Sequence, residues 1–381
     1  MPPEPGAALP TAACRGVTVE AVQEFREQAA LMASQASPLE TGTDELRLRP
    51  TMRDVAALAG VSIKTVSRVI NGAASVNPEL EKRVRRAART LDYRPNLTAR
   101  NLRSGDGRTR TIGVLLENVA NPFAAAVHRA IEDLAASRSI AVFAGSIDED
   151  PQRERQLALA LTSRQIDGLI LMPAGGDQGY LALEQRSGLS VVCVDRAPSG
   201  LSTDAVVADN FDAGYRATSH LLAHGHRQIA FLGDKSSIQT ATLRRDGYIQ
   251  ALRHAAVAVK EELIRLELHD QRSAQAAATQ TVEHYRPTAI LAGQNLITVG
   301  VIRALRERRL QHAIAVVGLD DFLLADLLEP AVTVMAQDPA AIGATACRLL
   351  FSRMDGDQSP PQVHRVEMHL IARGSGELPP G

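Results

Sequence analysis

The sequence predicts an α/β protein: a small all-α helix-turn-helix head followed by two doubly wound α/β lobes. Three observations predict it. Residues 51–104 form a short basic stretch with helical periodicity. From Thr111 onward, short β-branched runs alternate with helical segments. That rhythm occurs twice in succession, as two parallel sheets covered by helices on both faces require.

Thr51 suits the N-cap of a helix over Met52–Ala59, because its hydroxyl can accept from first-turn N–H groups. Asp54 sits favourably at the positive end of that helix. Val55, Leu58 and Ala59 recur at helical spacing, and Gly60 breaks the helix where the chain must turn. Ser62 suits the cap of a second helix, Ile63–Ile70, with an inward stripe of Val66, Val69 and Ile70. Ile63, Lys64, Ser67, Arg68 and Asn71 are left outward or on the flanks. From the residues alone this is either an ordinary helical hairpin with a solvated basic face or a helix-turn-helix. In the second case the short helix enters the major groove and its N-terminal turns meet base edges. Ile63, Lys64 and Arg68 then read bases, and Arg68 can hold guanine O6 and N7 through two hydrogen bonds.

Charge supports the second case. Residues 51–104 carry eleven Lys/Arg against four Asp/Glu, a net +7; the whole chain is −1, so the remainder is −8. Positive charge gathered on one small segment is the footprint of phosphate binding. Within it, Lys82-Arg83-Val84-Arg85-Arg86 reads equally as a solvated helix face.

Residues 51–105 resemble the DNA-binding head of the LacI/GalR family of bacterial repressors. The resemblance is carried by Asp54-Val55-Ala56, Ala59-Gly60-Val61-Ser62, Thr65-Val66-Ser67-Arg68-Val69, Asn71-Gly72, Tyr93-Arg94-Pro95-Asn96 and Ala99-Arg100. The chain follows the family to about Arg373. The resemblance implies a sequence-specific repressor whose operator affinity answers to a small-molecule effector, a sugar or sugar derivative. It implies DNA contacts at Thr51, Ser62, Ile63, Lys64, Thr65, Ser67, Arg68 and Asn71.

Residues 95–104 match the family's hinge helix, adding Asn96, Ala99, Arg100 and Leu102 to that set. Leu102 matches the leucine that wedges into the minor groove. A helix of about two turns is marginal alone, so the hinge is expected to order only on DNA. Two hinges meeting at the operator centre require a homodimer and a near-palindromic double-stranded site.

The expected organisation is a poorly ordered extension at 1–50, the helix-turn-helix at 51–94 and a hinge and linker at 95–110. A two-lobe effector-binding and dimerisation domain at 111–373 and a flexible tail at 374–381 complete it. Strands are expected at Thr111–Leu116, 140–144, 168–172 and Ser190–Val194, then at 227–232, 263–268, 288–292 and 313–318. Helices at 124–137 and 153–164 separate the earlier ones. The resemblance implies lobes of periplasmic-binding-protein-like type, with the chain crossing between them three times.

Ligands in such lobes bind in the crevice beyond the carboxyl ends of the strands. Phe123, after the first strand, is either a stacking wall or a core ring. Asp195-Arg196 ends the fourth apolar run; it is either a structural ion pair or, as in the family, a ligand contact. Asp209-Asn210 reads as a structural pair capping the helix from Phe211. Arg244 occupies the Arg of the family's Arg-x-x-Gly-aromatic motif, and its five fixed donors suit hydroxyls or a carboxylate. Arg245 stands where the family often has Leu and is expected at the surface. Asp320 matches an effector-contacting carboxylate of the family. Gln294-Asn295 replaces the family's common Asn-Asp, which removes a charge and points to a different effector choice. With no Trp and 3% aromatics, ring stacking on a sugar is less supported than usual.

Other classes find little support. No run of about 18 apolar residues exists to span a membrane, and no basic stretch with an apolar core suggests secretion, so a cytoplasmic chain is expected. Cys14, Cys193 and Cys347 lack metal-ligand spacing, and His224 with His226 has no evident third ligand, so neither metal nor cofactor is expected. No dinucleotide fingerprint, P-loop or nucleophile elbow is present, so no enzyme is expected.

Overall fold

The computed structural model describes residues 50–70, 76–94 and 108–381. Asn71, Asn96, Ala99, Arg100 and Leu102 lie outside the described residues, with the N-terminal extension and the hinge helix. The chain divides into two compact units, Met1–Asn96 and Leu97–Gly381.

The first unit holds α1 (Met52–Ala59), α2 (Ile63–Ile70) and α3 (Pro78–Thr90). Thr51 and Asp54 form a capping box: the Thr51 hydroxyl accepts from Asp54 N at 3.4 Å, and Asp54 Oδ2 accepts from Thr51 N at 2.7 Å. Gly60 closes α1 at φ 62°, in the left-handed region where a side chain would be strained. Ser62 Oγ accepts from Thr65 N at 3.1 Å and so starts α2. Asn77 caps α3, with Pro in its first turn. The helices close over Val55, Ala59, Val66, Val69, Val84 and Ala87. Each such Val contributes roughly 1.5–3 kcal/mol by leaving water.

The second unit begins with β1 (Thr111–Leu116), α4 (Pro122–Ser137), β2 (Ala141–Ser146), α5 (Pro151–Thr162), β3 (Gly168–Leu171), the short α6 (Ala182–Arg186), β4 (Ser190–Val194) and β5 (Asp204–Ala208). Next come α7 (Asn210–Ala223), β6 (Ile229–Leu232), α8 (Gln239–His254), β7 (Ile264–Arg265), α9 (Gln271–Tyr285), β8 (Ala289–Ala292), α10 (Asn295–Glu307), β9 (Ala315–Leu319) and β10 (Thr333–Ala336). It ends with α11 (Pro339–Met354), β11 (Val363–Val366) and β12 (His369–Ile371).

Two six-stranded sheets result, ordered β11-β5-β4-β3-β1-β2 and β12-β10-β9-β8-β6-β7. Every pairing is parallel except β10 with β12. The chain leaves the first sheet after β5, returns after β10 and leaves again after β11, which makes three crossings. Alternation within the strands serves two cores. Ile112, Val114 and Ile170 face α4 and α11, while Leu115, Leu169 and Leu171 face the other layer. In the second lobe Phe231 and Leu291 pack toward α7 and α8, and Leu232 and Ile290 toward α9 and α10. β3 and β8 are buried along their whole length, as strands covered on both faces must be.

Helices α7 and α8 touch backbone to backbone through two glycines. A Cβ on Gly214 would lie 2.1 Å from Arg244 O, and one on Gly247 2.2 Å from Phe211 O. That approach seats Arg244 over the strand ends.

Three differences from the sequence-based reading have physical causes. The strand expected over 263–268 shrinks to β7, because at the sheet edge only Ile264 and Arg265 pair with β6. β5, β10, β11 and β12 were not anticipated; all are short, and at the sheet edges mixed burial erases the apolar run of β11 and β12. Residues 374–381, expected to be flexible, are tied to the second lobe. Ser375 Oγ donates to Val316 O at 2.6 Å and accepts from Thr333 N at 2.9 Å. Glu377 bonds Thr333 Oγ1 at 2.8 Å and pairs with His220 Nε2 at 2.5 Å. The small residues that read as flexible serve contact here: a Cβ on Gly376 would meet Val317 at 2.9 Å.

Candidate functional site

The head presents one polar face. Val66 and Val69 point inward on α2, which leaves Ile63, Lys64 and Arg68 exposed and Thr65 and Ser67 half-buried. Thr51 and Ser62 act as caps, so their side chains are first of all structural. The basic run on α3 divides. Arg83 Nη2 donates to Ala59 O at 2.6 Å and braces the turn, a structural role. Lys82 and Arg85 pair along the helix with Glu79 at 3.1 Å and Glu81 at 2.7 Å.

The second site is a cleft of about 530 Å³, counted out to its open mouth, beyond the carboxyl ends of both sheets. Phe123, Asp195, Arg196, Arg244, Gln294 and Asp320, all expected from the sequence, line it. Phe123 serves both readings: it lines the cleft and packs on the first-lobe core.

Arg244 and Asp320 were expected as separate ligand contacts. The structure joins them. Arg244 Nη1 and Nη2 donate to the two Asp320 carboxylate oxygens at 2.9 Å each. Arg244 Nη1 also donates to Gly293 O at 2.8 Å, and its Nε to Asn210 Oδ1 at 2.7 Å. Four hydrogen bonds thus engage a guanidinium that has five N–H groups. Asp209 caps α7 as expected, but Asn210 does more than cap: it fixes Arg244. Gln337 Nε2 donates to Asp320 Oδ1 at 2.6 Å.

Asp195 and Asp320 occupy equivalent places, each just past a central strand. Both adopt positive φ, 67° and 71°, which Asp tolerates better than most residues. Each is held there by its own backbone N–H, bonded to Val206 O at 2.8 Å and Met335 O at 2.9 Å. Arg196 forms the ion pair that was the alternative reading, though chiefly with Glu149, through two bonds of 2.6 Å. Its Nε lies 3.3 Å from Asp195 Oδ2 but makes no hydrogen bond.

Glu117, Glu149, Asp234 and Gln337 escaped the sequence reading. A signal existed for two of them: Glu117 directly follows β1, and Asp234 follows β6 by one glycine. Burial, reinforced by the Glu149 charge, pushes the Glu117 carboxyl up to about 7. Burial also raises the Asp195 and Asp234 carboxyls above their ordinary range. Two hydrogen bonds cross the cleft: Asn295 Nδ2 to Asn121 Oδ1 at 3.0 Å, and Ala197 N to Gln239 Oε1 at 3.0 Å. Gln294 caps α10 and donates to Asp234 Oδ2 at 2.9 Å.

His224 and His226, weighed above as metal ligands, each bond to protein groups. His226 bonds Thr288 Oγ1 at 2.9 Å and Leu378 O at 2.8 Å, and His224 Nδ1 bonds His220 O at 2.9 Å. Arg245 pairs with its neighbour Asp246 at 2.8 Å, as a surface residue does. Cys193 is buried within β4. Among the described residues no helix is long and apolar enough to cross a membrane.

A helix-turn-helix head on a two-lobe core with a polar interlobe cleft defines a ligand-responsive DNA-binding regulator. Comparison with known proteins agrees. Residues 51–96 match the model for bacterial regulatory proteins of the lacI family, and residues 218–376 that for a periplasmic binding protein-like domain. The HTH-type transcriptional repressor PurR of Photobacterium profundum is 30% identical over 329 residues, covering 85% of this chain and 98% of that protein. Among solved structures, a complex of the transcriptional regulator CelR with cellobiose is 29% identical with a TM-score of 0.64, over 86% of this chain and all of that one. The lac repressor dimer bound to operator and the anti-inducer ONPF is 25% identical with a TM-score of 0.76, over 86% and 99%. The chain belongs to the LacI family of bacterial transcriptional regulators. It is a sequence-specific DNA-binding protein that answers to a small molecule.

Proposed function

We propose that the chain is a repressor that acts as a homodimer on a near-palindromic operator, released or tightened by a sugar-like effector in the cleft. The observation that carries this is the interlobe array. Guanidinium, carboxylate and amide groups from both lobes converge at strand ends, joined by two cross-lobe hydrogen bonds. Polar groups so arranged recognise hydroxyls, and a ligand touching both lobes changes their closure energy. That change reaches DNA reciprocally through the hinges.

In this reading Ile63, Lys64 and Arg68 read bases, and Thr51, Ser62, Thr65, Ser67 and Asn71 hold phosphates. The hinge residues Asn96, Ala99, Arg100 and Leu102 order on the operator, with Leu102 opening a base step. Asp195, Arg196, Arg244, Gln294 and Asp320 contact or support the effector, with Phe123 as an apolar wall. The protein acts by binding rather than turnover, in the bacterial cytoplasm where the chromosome lies. A cellobiose complex in one relative supports a saccharide for this cleft too.

Operator sites selected from random duplexes with the full chain would be retarded in a gel, then challenged with a saccharide panel. A near-palindromic selected site, with retardation changed by at least one saccharide, is expected. Failure to select any common sequence would refute the DNA reading. A selected site unmoved by every saccharide would refute the effector class.

A further inference from the structure

The cleft is more acidic than hydroxyl recognition needs. Glu117, Glu149, Asp195, Asp234 and Asp320 face it against only Arg196 and Arg244. Both arginines are committed, to Glu149 and to Asp320. Glu117 and Asp234 form no ion pair with any described residue. They come from opposite lobes, after β1 and after β6, and the Asp234 charge adds to what raises the Glu117 carboxyl. Like charges on facing walls oppose closure until a cation lies between them.

Nearby, an ion pair of 3.3 Å between Arg196 Nε and Asp195 Oδ2 leaves both groups short of a hydrogen bond. Asp195 is 7% exposed, and its carboxylate accepts no hydrogen bond from any described residue. Arg196 is 6% exposed, and its Nε–H has no hydrogen-bond acceptor among the described residues. Leaving buried polar groups unpaired is unfavourable. A single ligand hydroxyl satisfies both, accepting from Arg196 Nε and donating to Asp195. A metal ion does not fit the acids, because no group of three of the described side chains is placed to hold one.

We infer that the effector is an amine-bearing polyol, whose ammonium bridges Glu117 and Asp234 across the lobes while a hydroxyl bridges Asp195 and Arg196. The inference rests on the effector-cleft reading above and narrows its ligand to an organic cation with hydroxyls, such as an amino sugar. The ammonium acts as the closing link, since it turns repulsion between the walls into two charge-assisted hydrogen bonds.

The test is titration calorimetry of the full chain at pH 7.5 with D-glucosamine and D-galactosamine, each matched to its neutral sugar, and with 1,4-diaminobutane. At least one amino sugar should bind roughly tenfold or more tighter than its neutral match, the span of a charge-assisted bond. Glu117→Gln/Asp234→Asn should abolish that preference while keeping the thermal transition, which shows that the variant is folded. A neutral sugar binding as well as its amine, or a preference that survives the double substitution, overturns the inference and leaves the effector reading intact. The diamine binding as tightly as the amino sugars overturns the hydroxyl half. If neither amines nor neutral sugars bind, the inference fails, and the operator-release assay separately decides the effector reading.

Discussion

Arg244→Ala is expected to cost far more than a ligand contact. Arg244 is 4% exposed and Asp320 8%. Truncating the arginine removes four hydrogen bonds at once. Asp320 is then left with Gln337 Nε2 alone, and Asn210 Oδ1 and Gly293 O lose their donor. Stranding one partner of a buried pair typically costs about 3–5 kcal/mol. For a unit of this size that lowers the melting temperature by roughly 6–15 °C. Thermal unfolding of the full chain, followed by calorimetry, measures it. The companion variant Arg244→Met/Asp320→Leu removes both charges and keeps apolar volume, so it should regain most of the loss. A single variant melting within about 1 °C of the parent would refute the reasoning. So would a double variant no better than the single one. Loss of effector binding in Arg244→Ala alone therefore does not identify a direct contact.

The same geometry sets four further expectations. Arg68→Ala should relax preference at one operator position by about 1–3 kcal/mol; equal weakening on cognate and random DNA, measured by retardation, would make Arg68 a phosphate contact. Gly247→Ala should destabilise the second lobe, because its Cβ would lie 2.2 Å from Phe211 O; an unchanged melting temperature would contradict that close approach. Truncation after Arg373 should lower stability by about 3 kcal/mol or more, at roughly 1 kcal/mol for each hydrogen bond lost through Ser375, Glu377 and Leu378; an unaffected melting curve would restore the view of a loose tail. Glu117 binds its proton more tightly in the folded state, since burial and Glu149 raise its carboxyl from 4.5 to about 7. Its contribution to stability should therefore be present at low pH and fall as pH rises from about 4.5 to about 7, a slope that Glu117→Gln removes. A slope unchanged in that variant would assign the effect to another group.

The head and the succession of strands were readable from the amino acids alone. Thr51, Gly60, Ser62 and the Val66/Val69 stripe act within one or two helical turns, so caps, breaks and inward faces are visible without tertiary contacts. Strands such as β3 and β8 were legible for a similar reason: covered on both faces, they are apolar throughout. Strand ends pointed to Asp195 and Arg196, and the family resemblance to Arg244, Gln294 and Asp320, as cleft residues, and all of them line it. Who partners whom emerged only on folding. Arg244 and Asp320 are 76 positions apart, and nothing local says that each satisfies the other. Edge strands β7, β11 and β12 and the tail are held by pairing and hydrogen bonds from distant segments, so their own composition carries little signal. The excess of acid in the cleft belongs to the same class. Glu117 and Asp234 escaped the sequence reading because charge repulsion depends on distance in space, which folding sets, and not along the chain.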